Sequence, residues 1–165
     1  AAAAELHGLR AEYPGLCLPA YIAAAAVGMV IGGHLVRDPQ RSVRIAAAGF
    51  GGSAVLALLM GLGNWDAWMV PVLFGAMGLS SGTAGPSRDL LVKAATPEGA
   101  TGRVYGVVYS GLDVGMAISA LLLGALMDAH QMRTVWVVIA LALVLLVFSA
   151  FNVKRRERRP VPAAA

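Results

Sequence analysis

Residues 134–153 read TVWVVIALALVLLVFSAFNV, twenty residues without a charged side chain, and the chain then turns to Lys154-Arg155-Arg156-Glu157-Arg158-Arg159. A helix rises about 1.5 Å per residue, so about 20 residues cross a hydrocarbon core of about 30 Å. The stretch is as long as one membrane span and stops at a block of charge that hydrocarbon would reject. Working back along the chain, the same length recurs. Residues 104–127 hold a single charge, Asp113. Residues 67–87, 45–65 and 13–33 are three further runs of 21 residues with no Asp, Glu, Lys or Arg. A soluble protein has little reason to repeat that length. The pattern predicts an all-α transmembrane fold, a polytopic bundle of five helices. The spans are expected at 16–36, 43–63, 68–90, 104–127 and 134–153, with an external loop segment over 1–15 and a basic tail over 154–165.

Composition fits a chain that lives in lipid. Hydrophobic residues make up 58% of the 165 residues and charged residues 13%, against roughly 25% charged in a soluble domain. The net charge of +4 does not point to nucleic acid, because the basic residues border apolar spans and form no polar face interleaved with aromatics. Cys17 is the single cysteine, which excludes an internal disulfide and a cysteine metal site. His7, His34 and His130 lie far apart at expected membrane edges and in the first loop, so no metal site is expected. No Gly-x-x-x-x-Gly-Lys-Ser/Thr pattern is present, so direct use of ATP is not expected. No residues form a catalytic constellation, and neither an enzyme nor a cofactor is expected.

Charge placement orients the spans. Arg37, Arg41 and Arg44 follow the first, Arg88, Lys93 and Arg103 separate the third from the fourth, and five basic residues follow the fifth. Alternating helices put these eleven of the 13 Lys and Arg residues on one side and leave Arg10 and Arg133 on the other. The positive-inside rule makes the crowded side cytoplasmic. The first segment, the Asn64–Asp66 turn and the Asp128–Arg133 turn are then external, and the C-terminus is cytoplasmic. Five spans preceded by an external segment imply further membrane chain upstream.

Small residues mark where helices approach. Gly28 and Gly32 sit four apart in the first span, and Gly75, Gly78, Gly82 and Gly85 run through the third before Pro86. Lipid supplies no hydrophobic drive for helix association, so close backbone packing must substitute for it. Gly85-Pro86 is the best candidate for a bend, since proline removes a backbone donor and crowds the preceding turn. The fifth span, apolar all round, is expected to show much of its surface to lipid. Trp65, Trp68 and Trp136 are expected as interfacial anchors.

Asp113 breaks the pattern. It lies 10 residues beyond Arg103, about 15 Å into the membrane and near its midplane. A charged Asp there costs roughly 2.5–3.5 kcal/mol on insertion scales. Tyr109, Ser110, Met116 and Ala117 share its helical face, with Gly106 one turn further back. That face is either a coupling or solute-binding site or a structural contact with a neighbouring helix. Gly111 and Gly115 beside it predict tight packing of the same helix.

Two segments resemble the major facilitator superfamily of secondary transporters. Gly32-Gly33-His34-Leu35-Val36-Arg37-Asp38-Pro39-Gln40-Arg41 looks like the family's short cytoplasmic loop motif in its C-terminal copy. Gly102-Arg103-Val104-Tyr105-Gly106-Val107-Val108-Tyr109-Ser110-Gly111-Leu112-Asp113-Val114-Gly115 resembles the start of the eleventh helix in bacterial members. The resemblance covers essentially the whole chain and implies helices eight to twelve of a twelve-helix transporter, part of its C-terminal six-helix half. It further implies a multi-pass protein of the bacterial inner membrane, whose partners are the lipid bilayer, the remaining helices of the same transporter, a small-molecule solute and protons. By resemblance the third span lines a cavity, with Phe74, Met77, Ser80 and Ser81 as candidate contacts. The second and fifth would face mainly lipid, and the fourth would lie where the two halves meet. Asp113, Tyr109, Ser110 and Met116 are the candidate coupling or solute residues of the fourth span. Gly33, Asp38, Arg41 and Arg103 are the candidate gating residues of the loop motif. The expected function is secondary active transport of a small organic solute by alternating access, as a proton-coupled symporter or antiporter. The alternative is a non-transporting five-span assembly subunit, and the reading frame upstream of Ala1 discriminates the two.

Overall fold

The structure, a computed structural model, describes residues 14–36, 39–94, 96–97 and 99–157, with side chains left aside at 14, 39, 40 and 150–157. Five helices fill it: α1 (Pro14–Leu35), α2 (Pro39–Leu62), α3 (Met69–Ala94), α4 (Thr101–Asp128) and α5 (Met132–Glu157). Their bounds fall within a few residues of the expected spans. The expected loop over 1–15 and the tail beyond 157 lie almost wholly outside the described residues, as do Arg37, Asp38 and Glu98.

Four helices are long and apolar enough to cross a membrane, over Gly15–Leu35, Arg41–Leu62, Thr101–Asp128 and Met132–Ser149. The helix that falls short is α3, which carries Ser80, Ser81, Thr83, Ser87, Arg88, Asp89 and Lys93. Its position explains how it tolerates that polarity. α3 packs along α1 on one side and α2 on the other, while α2 also packs on α5. Gly75 faces Ala20, Gly78 faces Tyr21, Gly82 faces Ala25, and Gly32 faces Thr83. Numbers rise together in these pairs, so α1 and α3 are parallel, and α3 lies at the depth of an apolar span. Against α2 the numbers run oppositely: Gly49 meets Ser80 and Ala84, while Ser53 meets Met77.

The expected Gly28–Gly32 approach is realised. A methyl group at Gly28, Gly32, Gly78 or Gly82 would run into backbone of the facing helix. Three side-chain hydrogen bonds reinforce the contacts of α3: Ser53 Oγ donates to Met77 O at 3.2 Å, Ser80 Oγ donates to Gly49 O at 2.8 Å, and Tyr21 Oη meets Ser81 Oγ at 3.0 Å. Bonds of this kind between membrane helices contribute about 0.6 kcal/mol on average.

The apolar core of Cys17, Ala57, Met60, Val70, Met77, Trp136 and Ala140 sits where α1, α3 and α5 begin and α2 ends. Three expectations change here. Trp136 is not an interfacial anchor: it is buried, its Cβ side abuts Gly61, and its ring stands edge-to-face on Phe74 at 5.6 Å. Trp65 does more than sit at the interface, because its indole N–H donates at 2.8 Å to Leu59 O, a carbonyl in the last turn of α2 that also accepts from Gly63 N–H. α2 is not chiefly lipid-facing, since Ser42, Val43, Ala46, Ser53, Ala54, Ala57 and Met60 are all buried. α5 divides along its length. Val135, Trp136 and Ala140 are buried, whereas Leu141, Leu145, Leu146 and Phe148 are exposed.

α4 stands apart. None of its residues is buried, and it touches α5 only lightly. Gly106, Gly111 and Gly115 have nothing within 4 Å of where a Cβ would sit. The tight packing expected from Gly111 and Gly115 is therefore absent from the described residues.

Candidate functional site

The expected coupling and solute residues fall into two groups on different helices, and the bundle does not bring them together. The first group centres on the middle of α3. Ser81 is the twelfth residue after Met69 and thirteen before Ala94, so it lies halfway along the helix. Its hydroxyl donates to Gly78 O at 3.1 Å, one turn back, and meets the phenol of Tyr21 at 3.0 Å. Both side chains are half-buried. The ring of Tyr21 packs against the apolar core, which fixes where its oxygen can reach. Neighbouring hydroxyls are differently occupied. Ser80 is bonded to α2, and Thr83 Oγ1 donates to Ser80 O at 2.8 Å within its own helix. Phe74 and Met77 have apolar partners: Phe74 lies on Trp136, and Met77 is buried in the core. Of the four α3 candidates, Ser81 is thus the one whose polar group is not given to α2 or replaced by an apolar side chain.

The second group is the exposed face of α4. Tyr109 stacks on Tyr105 with ring centroids 6.0 Å apart and an interplanar angle of 27°. Ser110 Oγ donates to Val107 O at 3.0 Å, a local bond that leaves the hydroxyl turned onto its own helix. Met116 and Tyr109 are exposed. Asp113 is exposed too, and no side chain among the described residues hydrogen-bonds or pairs with it. A carboxylate, a phenol and a hydroxyl therefore share an apolar helix that none of the described residues covers.

The loop-motif candidates are placed only in part. Gly33 is exposed with open space around it, and Arg41 and Arg103 are exposed at the starts of α2 and α4. Asp38 lies outside the described residues. At the same end of the bundle Arg88 pairs with Asp89 at 3.0 Å.

Sequence reasoning missed Tyr21. It lies in an apolar helix sixty positions before its partner, and nothing local signals a phenol that reaches another helix. The one available clue was its position seven residues before Gly28, on the stripe that packs against α3.

The family described as Major Facilitator Superfamily matches this chain over residues 2–165. Comparison with curated proteins and with solved structures gives no match.

Proposed function

We propose a mechanism from a settled premise: the chain belongs to the Major Facilitator Superfamily. It is a multi-pass membrane protein from a family of transporters, not of enzymes, and its work is membrane transport. Our reading is helices eight to twelve of a twelve-helix secondary transporter in a bacterial inner membrane, with the C-terminus cytoplasmic. It carries a small organic solute by alternating access and couples that movement to protons.

Asp113 on the bare face of α4 carries this reading. An ionised carboxylate against lipid at mid-span costs roughly 2.5–3.5 kcal/mol. That cost disappears if the face meets water or polar groups of further transporter helices. Sites in this class of protein lie near the midplane between repeats, which is the depth that Asp113 occupies. A carboxylate reached by water first from one side and then from the other binds a proton in one state and releases it in the next. Tyr109 and Ser110, on the same face, supply polar neighbours for the solute or for water.

The test is Asp113→Asn in the full-length transporter. Asparagine keeps the shape and most hydrogen bonds but cannot ionise. Membrane abundance should be unchanged, proton-driven accumulation should fall at least tenfold, and solute exchange without net proton movement should persist. A variant that expresses normally and still accumulates solute against its gradient removes Asp113 from the coupling mechanism.

A further inference from the structure

We infer that the outer face of α2 is a binding site for an anionic phospholipid. Arg41 and Arg44, with the basic run that ends α5, take the headgroup phosphate, and the apolar remainder of the face takes an acyl chain. The argument starts from helical spacing. Arg41, Arg44, Ala48, Val55, Leu59 and Leu62 are all exposed, and steps of three, four and seven residues keep them on one side of the helix. Ser42, Val43 and Ala46, interleaved with the two arginines, are buried. One stripe of α2 is therefore apolar for most of its length and doubly cationic in its first two turns. A phospholipid has the same order of chemistry, hydrocarbon within the membrane and phosphate at its surface.

Helix register adds a second source of charge. Gly61 lies against Trp136, and α2 and α5 run in opposite directions from that contact. Gly61 back to Arg41 and Trp136 on to Arg156 are each 20 residues, about 30 Å of helix. α5 is helical to Glu157, so Lys154, Arg155 and Arg156 come to the level of Arg41 and Arg44 on the helix that packs beside α2. Charge at this level is poorly balanced. α2 contains no Asp or Glu, and Glu157 is the single acid in the run from 154 to 159. Asp89, at the same end of the bundle, is engaged by Arg88 at 3.0 Å. Among the described residues neither Arg41 nor Arg44 has an ion-pair partner. A phosphodiester supplies the missing charge, since an arginine fork takes two phosphate oxygens at once and basic side chains at a membrane surface attract anionic lipid. The apolar stripe favours a lipid over a free phosphate, because an acyl chain also covers Val55, Leu59 and Leu62.

Lipid retention by the purified full-length protein tests the site. Phosphatidylglycerol and phosphatidylcholine with the same acyl chains are titrated in mild detergent, and bound lipid is measured by native mass spectrometry. The parent should prefer phosphatidylglycerol, and raising ammonium acetate to about 0.5 M should erase most of the preference. Arg41→Gln/Arg44→Gln should weaken phosphatidylglycerol roughly 5- to 30-fold, the scale of two charges at an anionic surface, and leave phosphatidylcholine unchanged. Lys154→Gln/Arg155→Gln/Arg156→Gln should weaken it as well. Arg41→Lys/Arg44→Lys retains the charges and should retain the preference. Arg133→Gln, at the other end of the bundle, should change nothing, and glycerol phosphate should not displace the lipid. The inference is overturned by a parent without preference, by full phosphatidylglycerol affinity in either glutamine variant, or by an equal loss in Arg133→Gln. Displacement by glycerol phosphate would leave a phosphate site and no lipid site. A glutamine variant that melts lower without lipid, yet keeps the lipid preference, would give this face to an acidic helix instead.

Discussion

A single hydrogen atom at Gly82 separates α3 from the backbone of α1, since a methyl group there would collide with Ala25. In water such a contact would be one term among many apolar burials. In lipid the apolar side chains have equally good partners elsewhere, so close backbone approach and hydrogen bonds decide which helices associate. Gly82→Ala should therefore force α1 and α3 apart. Overpacking of this kind typically costs about 1–3 kcal/mol, and the detergent-solubilised protein should melt several degrees lower. Gly124→Ala is the matched control. Nothing lies within 4 Å of its missing Cβ, and alanine is the better helix former, so that variant should melt no lower than the parent. Equal melting of both variants would remove the α1–α3 contact from the account of stability. At this scale the sequence was readable where spacing alone carries the information. Gly28 and Gly32 sit on one helical face whatever they meet. Trp136 was not readable, because a tryptophan near a span end serves equally as an interfacial anchor or as a core residue. Only the facing Gly61 and Phe74 decide between them.

Among the helices, α3 and α4 invert the simple expectation that apolar means buried. α3 is too polar to qualify as a span by composition, yet it is the helix gripped by α1 and α2. α4 qualifies readily and buries nothing. Both outcomes have the same cause. Three of the α3 hydroxyls, those of Ser80, Ser81 and Thr83, are tolerated because Gly49 O, Gly78 O and Ser80 O accept from them, while Ser87 Oγ is buried with no partner among the described residues. An apolar helix in lipid needs no such cover. Span length and hydropathy thus disclosed that the helices exist, whereas the identity of their neighbours depended on contacts that hydropathy does not encode. Gly111 and Gly115 are the instructive case: their spacing signals a packing face without saying what packs there. On the transport reading that face meets other helices of the same transporter, which gives a prediction. Gly111→Leu should leave the melting of this five-helix chain within about 0.5 kcal/mol, since its surroundings are open. In the full-length transporter the same leucine should reduce transport at least tenfold. Normal transport by the full-length variant would show that the Gly111 face is not a contact surface.

For the whole molecule, the decisive quantity is the direction in which the bundle sits. The helix packing fixes which ends lie together. Cys17, Met60, Val70 and Trp136 share a core at the end where α1, α3 and α5 begin and α2 finishes. Arg41, Arg88, Lys93 and Arg103 belong to the opposite end, at the start of α2, the close of α3 and the start of α4. Packing alone gives the bundle no up or down, but the basic residues do. With eleven of 13 expected on one side from the sequence, the positive-inside rule gives the prediction that this end is cytoplasmic. Single cysteines at Gln40, Glu98 or Glu157 in the intact protein should then resist a membrane-impermeant maleimide added to whole cells and react only after permeabilisation. Cysteines at Asn64 or Gln131 should react at once. Cys17 must first be replaced by alanine to clear the background, and because Cys17 is buried in the core, the loss of its sulfur should lower stability modestly. External labelling at position 98 would break the alternation between α3 and α4, because that position lies in the connection that joins them. Asp113 would lose its assigned depth in the same stroke, since its distance from the cytoplasmic surface is measured from Arg103.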